Sequence, residues 1–61
     1  MAKDKFSVNL KNLRNEKGIT QKQLSDILQV NQRTIAHLEN NYRRPSYNLL
    51  IAIAEYFNIS I

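Results

Sequence analysis

The apolar residues of this chain fall in four short groups at helical spacing, separated by polar links of a few residues. Phe6, Leu10 and Leu13 stand at i, i+4 and i+7. They predict a first helix from Phe6 to about Lys17, capped by Asp4 or Ser7 and stopped at Gly18, because glycine accepts the left-handed geometry that ends helices. Leu24 and Leu28 predict a second helix over Gln21–Leu28, with Thr20 as its N-cap and Gln23 at the third helical position. Ile35 and Leu38 predict a third, from Gln32 to about Asn40, capped by Asn31. Only Gln29, Val30 and Asn31 separate the second and third helices, and Val30 is placed to plug the gap between them. This is the spacing of a tight helix-turn-helix. With Ile35 at zero on a helical wheel, Leu38 lies near it, whereas Arg33, His37 and Asn40 face the opposite way.

Asn41 and Tyr42 close the third helix, and Arg43, Arg44 and Pro45 form a basic loop, since the residue before a proline is pushed out of the helical region. Ser46 then caps a fourth helix, Tyr47–Phe57, which ends at Asn58. Its core stripe is read as Tyr47, Leu50, Ile53, Ala54 and Phe57. Leu49, Ala52 and Tyr56, at i, i+3 and i+7, make the other side apolar as well, and a helix apolar all round is normally covered on both sides. A continuation of the chain or a dimer partner is expected on that patch. Ile59 and Ile61 alternate around Ser60 in a tail able to fold back on the core, and Met1 to Lys5 form a loose arm. The expected fold is therefore all-α: one domain over residues 1–61, a compact bundle of four short helices, or five if the chain continues, built around the helix-turn-helix.

Length and composition narrow the function. A chain of 61 residues buries only about 60% of the surface its unfolded form exposes, so helix packing must be well used. There is no cysteine, hence no disulfide or thiolate metal site, and His37 is the single histidine. No metal, cofactor or small-molecule ligand is expected. An enzyme is not expected either: the sequence pairs no nucleophile with a base and offers no paired carboxylates. The longest apolar run, Leu49 to Ala54, is far short of the roughly 20 residues that span a bilayer, and no signal-peptide pattern opens the chain. A cytoplasmic protein without a membrane partner is the expectation. Nine Lys and Arg against five Asp and Glu give a formal charge of +4 and a sequence pI near 9.8, which favours a polyanionic partner.

The linked elements resemble the helix-turn-helix domains of phage lambda-type repressors and Cro proteins. The resemblance covers Phe6 to Ile61: F-x3-L-x2-L-R in the first helix, G-I-T-Q at Gly18 to Gln21, and L-x3-L-x-V at Leu24 to Val30. It continues through T-I-x-x-L-E-N at Thr34 to Asn40, R-P-S at Arg44 to Ser46, and A-x2-F-x-I at Ala54 to Ile59. It implies sequence-specific binding of double-stranded DNA with the third helix in the major groove. A transcription regulator, a repressor, is expected, bound to a palindromic operator as a weak homodimer paired through Leu49, Ala52 and Tyr56. Gln32 can pair bidentately with adenine and Arg33 with guanine, while His37, one turn on, can meet a base edge or a phosphate and Ala36 offers a methyl contact. By the family's pattern Gln21, Asn31, Asn40, Arg43 and Arg44 face phosphates, with Thr20 and Lys22 as weaker candidates. Arg14 and Glu39 lie beside the apolar stripes of their helices, and the matching family positions form an ion pair, so both are read as structural.

Three family habits are broken. Gln29 stands at the turn position usually held by glycine, Ser25 where helix 2 usually carries alanine, and Asn41 where a glycine follows helix 3. A stability below the family norm is expected from these. The competing function is a protein-docking module, such as an antitoxin or antirepressor, that uses the apolar face of the fourth helix.

Overall fold

In a computed structural model, which describes residues 5–59, helices occupy Lys5–Lys17 (α1), Gln21–Leu28 (α2), Gln32–Glu39 (α3) and Tyr47–Phe57 (α4). No strand is present among the described residues. The fold is the expected all-α bundle of four short helices, with α2 and α3 forming the helix-turn-helix. Of the arm expected at Met1 to Lys5, residues 1–4 lie outside the described residues, the expected cap Asp4 among them, as do Ser60 and Ile61; Lys5 already belongs to α1, and Ser7, the alternative cap, lies inside it.

The starts of α2 and α4 have a local cause. Thr20 and Gln23 form a reciprocal capping box: the Gln23 backbone N–H donates to Thr20 Oγ1 at 3.0 Å, and the Thr20 N–H donates to Gln23 Oε1 at 2.8 Å. Ser46 Oγ accepts from the Leu49 N–H at 3.2 Å. Asn31 departs from the expectation. It occupies the N-cap of α3 in an extended conformation, but its side chain makes no capping hydrogen bond.

The helix ends share one device. Gly18, Gln29, Asn41 and Asn58 sit just past the four helices with φ of 70°, 60°, 62° and 57°. At each of them two backbone bonds close the last turn in the Schellman pattern, as where Ile19 N–H donates to Arg14 O and Gly18 N–H to Asn15 O. Val30 to Ser25, Tyr42 to His37 and Ile59 to Ala54 are the matching six-residue closures. Gln29 therefore keeps the left-handed geometry without glycine, at a cost of about 1 kcal/mol.

Leu10, Leu24, Ile35, Leu38, Ile53 and Phe57 form the buried core, each contributing about 2 kcal/mol by burial, and Phe6, Leu13, Ile19, Leu28 and Val30 pack around them. Within it α3 packs chiefly on α2 and α1, and α4 on α2. Ser25 is buried, and its hydroxyl donates to the Lys22 carbonyl at 2.7 Å, which removes the penalty of placing a hydroxyl where alanine is usual.

Helix α4 buries Ile53, Ala54 and Phe57 as expected, but its packed stripe is shifted away from Tyr47. Tyr47 is 73% exposed and outside the core, while Leu49 and Tyr56, expected on a free side, pack against the core cluster. The buried stripe is centred on Ile53. Leu49 and Tyr56 lie within about 60° of it on a helical wheel and Tyr47 about 120° away. Ala52 is half-buried, and Lys17 Nζ sits 4.7 Å from the Tyr56 ring centre. Leu49, Ala52 and Tyr56 thus do not form an uncovered patch. An apolar cleft of about 320 Å³ opens where α1 and α4 diverge, lined by Phe6, Leu10, Leu13, Leu50, Ile53 and Ile59.

Candidate nucleic-acid interface

The sequence of α3 sets its two faces. Ile35 and Leu38 are buried at 0% and 1% exposure, so residues on the far side of the same helix must face solvent. Asn31, Gln32, Arg33 and Asn40 are exposed, and Ala36 and His37 are half-buried. Gln32 and Arg33 occupy the first turn, and His37 follows Arg33 by four positions, on the same side of the helix.

Glu39, at the last position of α3, is held by two other helices. Arg14 Nε donates to Glu39 Oε2 at 2.7 Å and Nη2 to Oε1 at 3.2 Å, while Nη1 donates to the Ile19 carbonyl at 2.9 Å. Gln21 Nε2, from the start of α2, also donates to Glu39 Oε1, at 3.1 Å. The two charged side chains are only 13% and 2% exposed. Paired donors on both carboxylate oxygens make this a charge-assisted, directionally fixed contact that sets how α3 lies on α1 and α2. The role of Gln21 in it was not legible from spacing. A glutamine at a helix start is equally suited to solvent, and its partner lies 18 positions away.

The remaining polar residues divide by what already engages them. Thr20 is occupied by its capping box, and Gln21 spends one amide hydrogen on Glu39. Lys22 makes an exposed i, i+4 pair with Asp26 at 3.4 Å, worth little in water. Arg33, Arg43 and Arg44 are exposed cations at the start of α3 and in the loop after it. Tyr42, read from the sequence only as a helix stop, stands 75% exposed beside these arginines, its ring edge-on to His37 at 5.6 Å between centroids. The available signal was an aromatic residue directly before two arginines.

What this surface offers is a helix end carrying bidentate donors and acceptors, flanked by exposed positive charge and backed by a buried apolar face. The helix-turn-helix family model matches residues 10–61. The chain belongs to the Cro/C1-type helix-turn-helix family. The match spans α2, the turn, α3 and α4 together with most of α1. No curated protein and no solved structure matches the chain. Membership makes this a DNA-binding helix-turn-helix domain of a regulator family that is not typically enzymatic. In helix-turn-helix domains the second helix of the motif enters the major groove, and here that helix is α3. Among the described residues no helix is long and apolar enough to cross a membrane, and no acidic or histidine cluster is arranged to hold a metal.

Proposed function

We propose that this helix-turn-helix protein is a sequence-specific transcription regulator, acting as a repressor on a palindromic operator. Gln32 and Arg33 read base edges, His37 and Ala36 extend the reading surface by one turn, and Asn31, Asn40, Arg43 and Arg44 hold phosphates. Gln21 contributes through its second amide hydrogen and its backbone, and Thr20 and Lys22 contribute least. The observation that carries this reading is the division of α3: its apolar side is locked by Ile35, Leu38 and the Glu39 contacts, which leaves Gln32 and Arg33 exposed at the end that meets the groove first. Two copies on one duplex would address half-sites about 34 Å apart as a weak dimer that DNA itself brings together.

The test is selection of preferred duplexes from a random pool, followed by a salt titration on the selected site. A recovered palindrome bound with a steep loss of affinity in salt is the expected result. One observation favours a second reading: the apolar cleft between α1 and α4 suits a domain that docks a protein through that side. Failure to bind any duplex at low salt would decide for it.

A further inference from the structure

The Schellman closures invite comparison because the residue that follows the left-handed position normally packs back on the helix it closes. At three of them this residue is aliphatic: Ile19, Val30 and Ile59. Ile19 and Val30 pack against the core, and Ile59 lines the cleft between α1 and α4. The fourth is Tyr42, which is 75% exposed and so gains little from burial. Its backbone N–H donates to the His37 carbonyl at 2.8 Å, and its ring meets the His37 ring edge-on at 5.6 Å and 62°. An exposed aromatic ring in this position does nothing for the core, yet it restricts the torsions of the one histidine, on the helix that faces DNA.

We infer that Tyr42 is a positioning residue for sequence reading: it holds the His37 imidazole over the exposed side of α3, and His37 and Tyr42 together form a second reading position beyond Arg33. The inference rests on the DNA-binding function proposed above. Four residues of helix separate His37 from Arg33, a rise of about 6 Å, so the pair addresses a base pair roughly two steps from the one Arg33 meets. Asn41 makes the arrangement possible. Its left-handed φ of 62° turns the chain back so that Tyr42 lies against the last turn of α3 instead of continuing away from it.

The experiment compares wild type, Tyr42→Ile, Tyr42→Phe, His37→Ala and the Tyr42→Ile/His37→Ala double variant. Each is measured by duplex selection and by affinity on selected and random duplexes, with thermal melts as a control for folding. Tyr42→Ile gives this helix end the aliphatic residue found at the other three, so it folds normally. It is expected to lose about three- to tenfold on the selected site and to relax the preference at one base pair, the same one relaxed by His37→Ala. The double variant should be no worse than His37→Ala, and Tyr42→Phe should keep the wild-type preference. In the free protein, proton spectra should show the His37 ring resonances shifted by Tyr42→Ile and retained by Tyr42→Phe. The inference is overturned by an unchanged preference in Tyr42→Ile, by losses that add in the double variant, by an equal loss on random duplexes, or by His37 resonances indifferent to Tyr42. A wild type without any preferred duplex would overturn the proposed function and this inference with it, whereas a clear wild-type preference that ignores Tyr42 overturns this inference alone.

Discussion

At the residue scale, the proposed interface separates side chains suited to specify from those suited only to hold. Gln32 and Arg33 project from the first turn of a helix whose opposite face is buried, so their forks are aimed by a rigid frame. Arg44 extends from an exposed loop, where its charge can reach a phosphate without a fixed frame for reading an edge. Gln32→Ala and Arg33→Ala should each cost about 1 to 3 kcal/mol on the preferred site and little on random DNA. Arg44→Ala should weaken both alike and make the salt slope shallower by about one unit. Titrating each variant on both duplexes across a salt series checks the distinction. Equal losses on the two duplexes for Gln32→Ala and Arg33→Ala would remove α3 from its reading role.

At the element scale, what was legible in the sequence was what local chemistry decides. The bounds of α2 and α4 follow from Thr20, Gln23, Ser46 and Asn58, each acting on backbone groups a few residues away. The burial of Ile53, Ala54 and Phe57 was legible, but the packing of Leu49 and Tyr56 in place of Tyr47 was not, because all these positions are apolar or aromatic and only packing against α1–α3 decides which of them face inward. The pairing of Tyr42 with His37 was hidden for a similar reason, since it depends on Asn41 turning left-handed. The family motifs at Gly18 to Gln21 and Thr34 to Asn40 pointed to the candidate surface, but not to which of its side chains were already engaged. Three substitutions test the local account by thermal or denaturant unfolding. Thr20→Ala, which breaks the capping box, should cost about 1 kcal/mol, whereas Asn31→Ala should leave stability nearly unchanged because no cap bond is lost. Gln29→Gly should stabilise by about 1 kcal/mol by relieving the left-handed backbone, and a decrease would show that the Gln29 side chain supplies contacts that outweigh the strain.

At the scale of the whole molecule, Arg14, Gln21 and Glu39 join three helices through one carboxylate. Arg14→Ala and Glu39→Ala should each destabilise by about 3 kcal/mol, since each strands a poorly solvated charge or its donors, and the double variant should lose less than the sum. A denaturation cycle with fully additive losses would show the two residues uncoupled. The same contact bears on how quickly the protein finds DNA. Glu39 places a negative charge on the helix that approaches a polyanion, and the Arg14 guanidinium neutralises it at 2.7 Å, so the approaching surface presents Arg33, Arg43 and Arg44 without an opposing charge. Arg14→Met removes that neutralisation without touching the groove-facing residues. In stopped-flow mixing with a duplex, this variant should associate more slowly than wild type at low ionic strength and converge with it as salt screens the field. The carboxylate buried at the junction of three helices is thus also a brake on encounter, and Arg14 keeps it released.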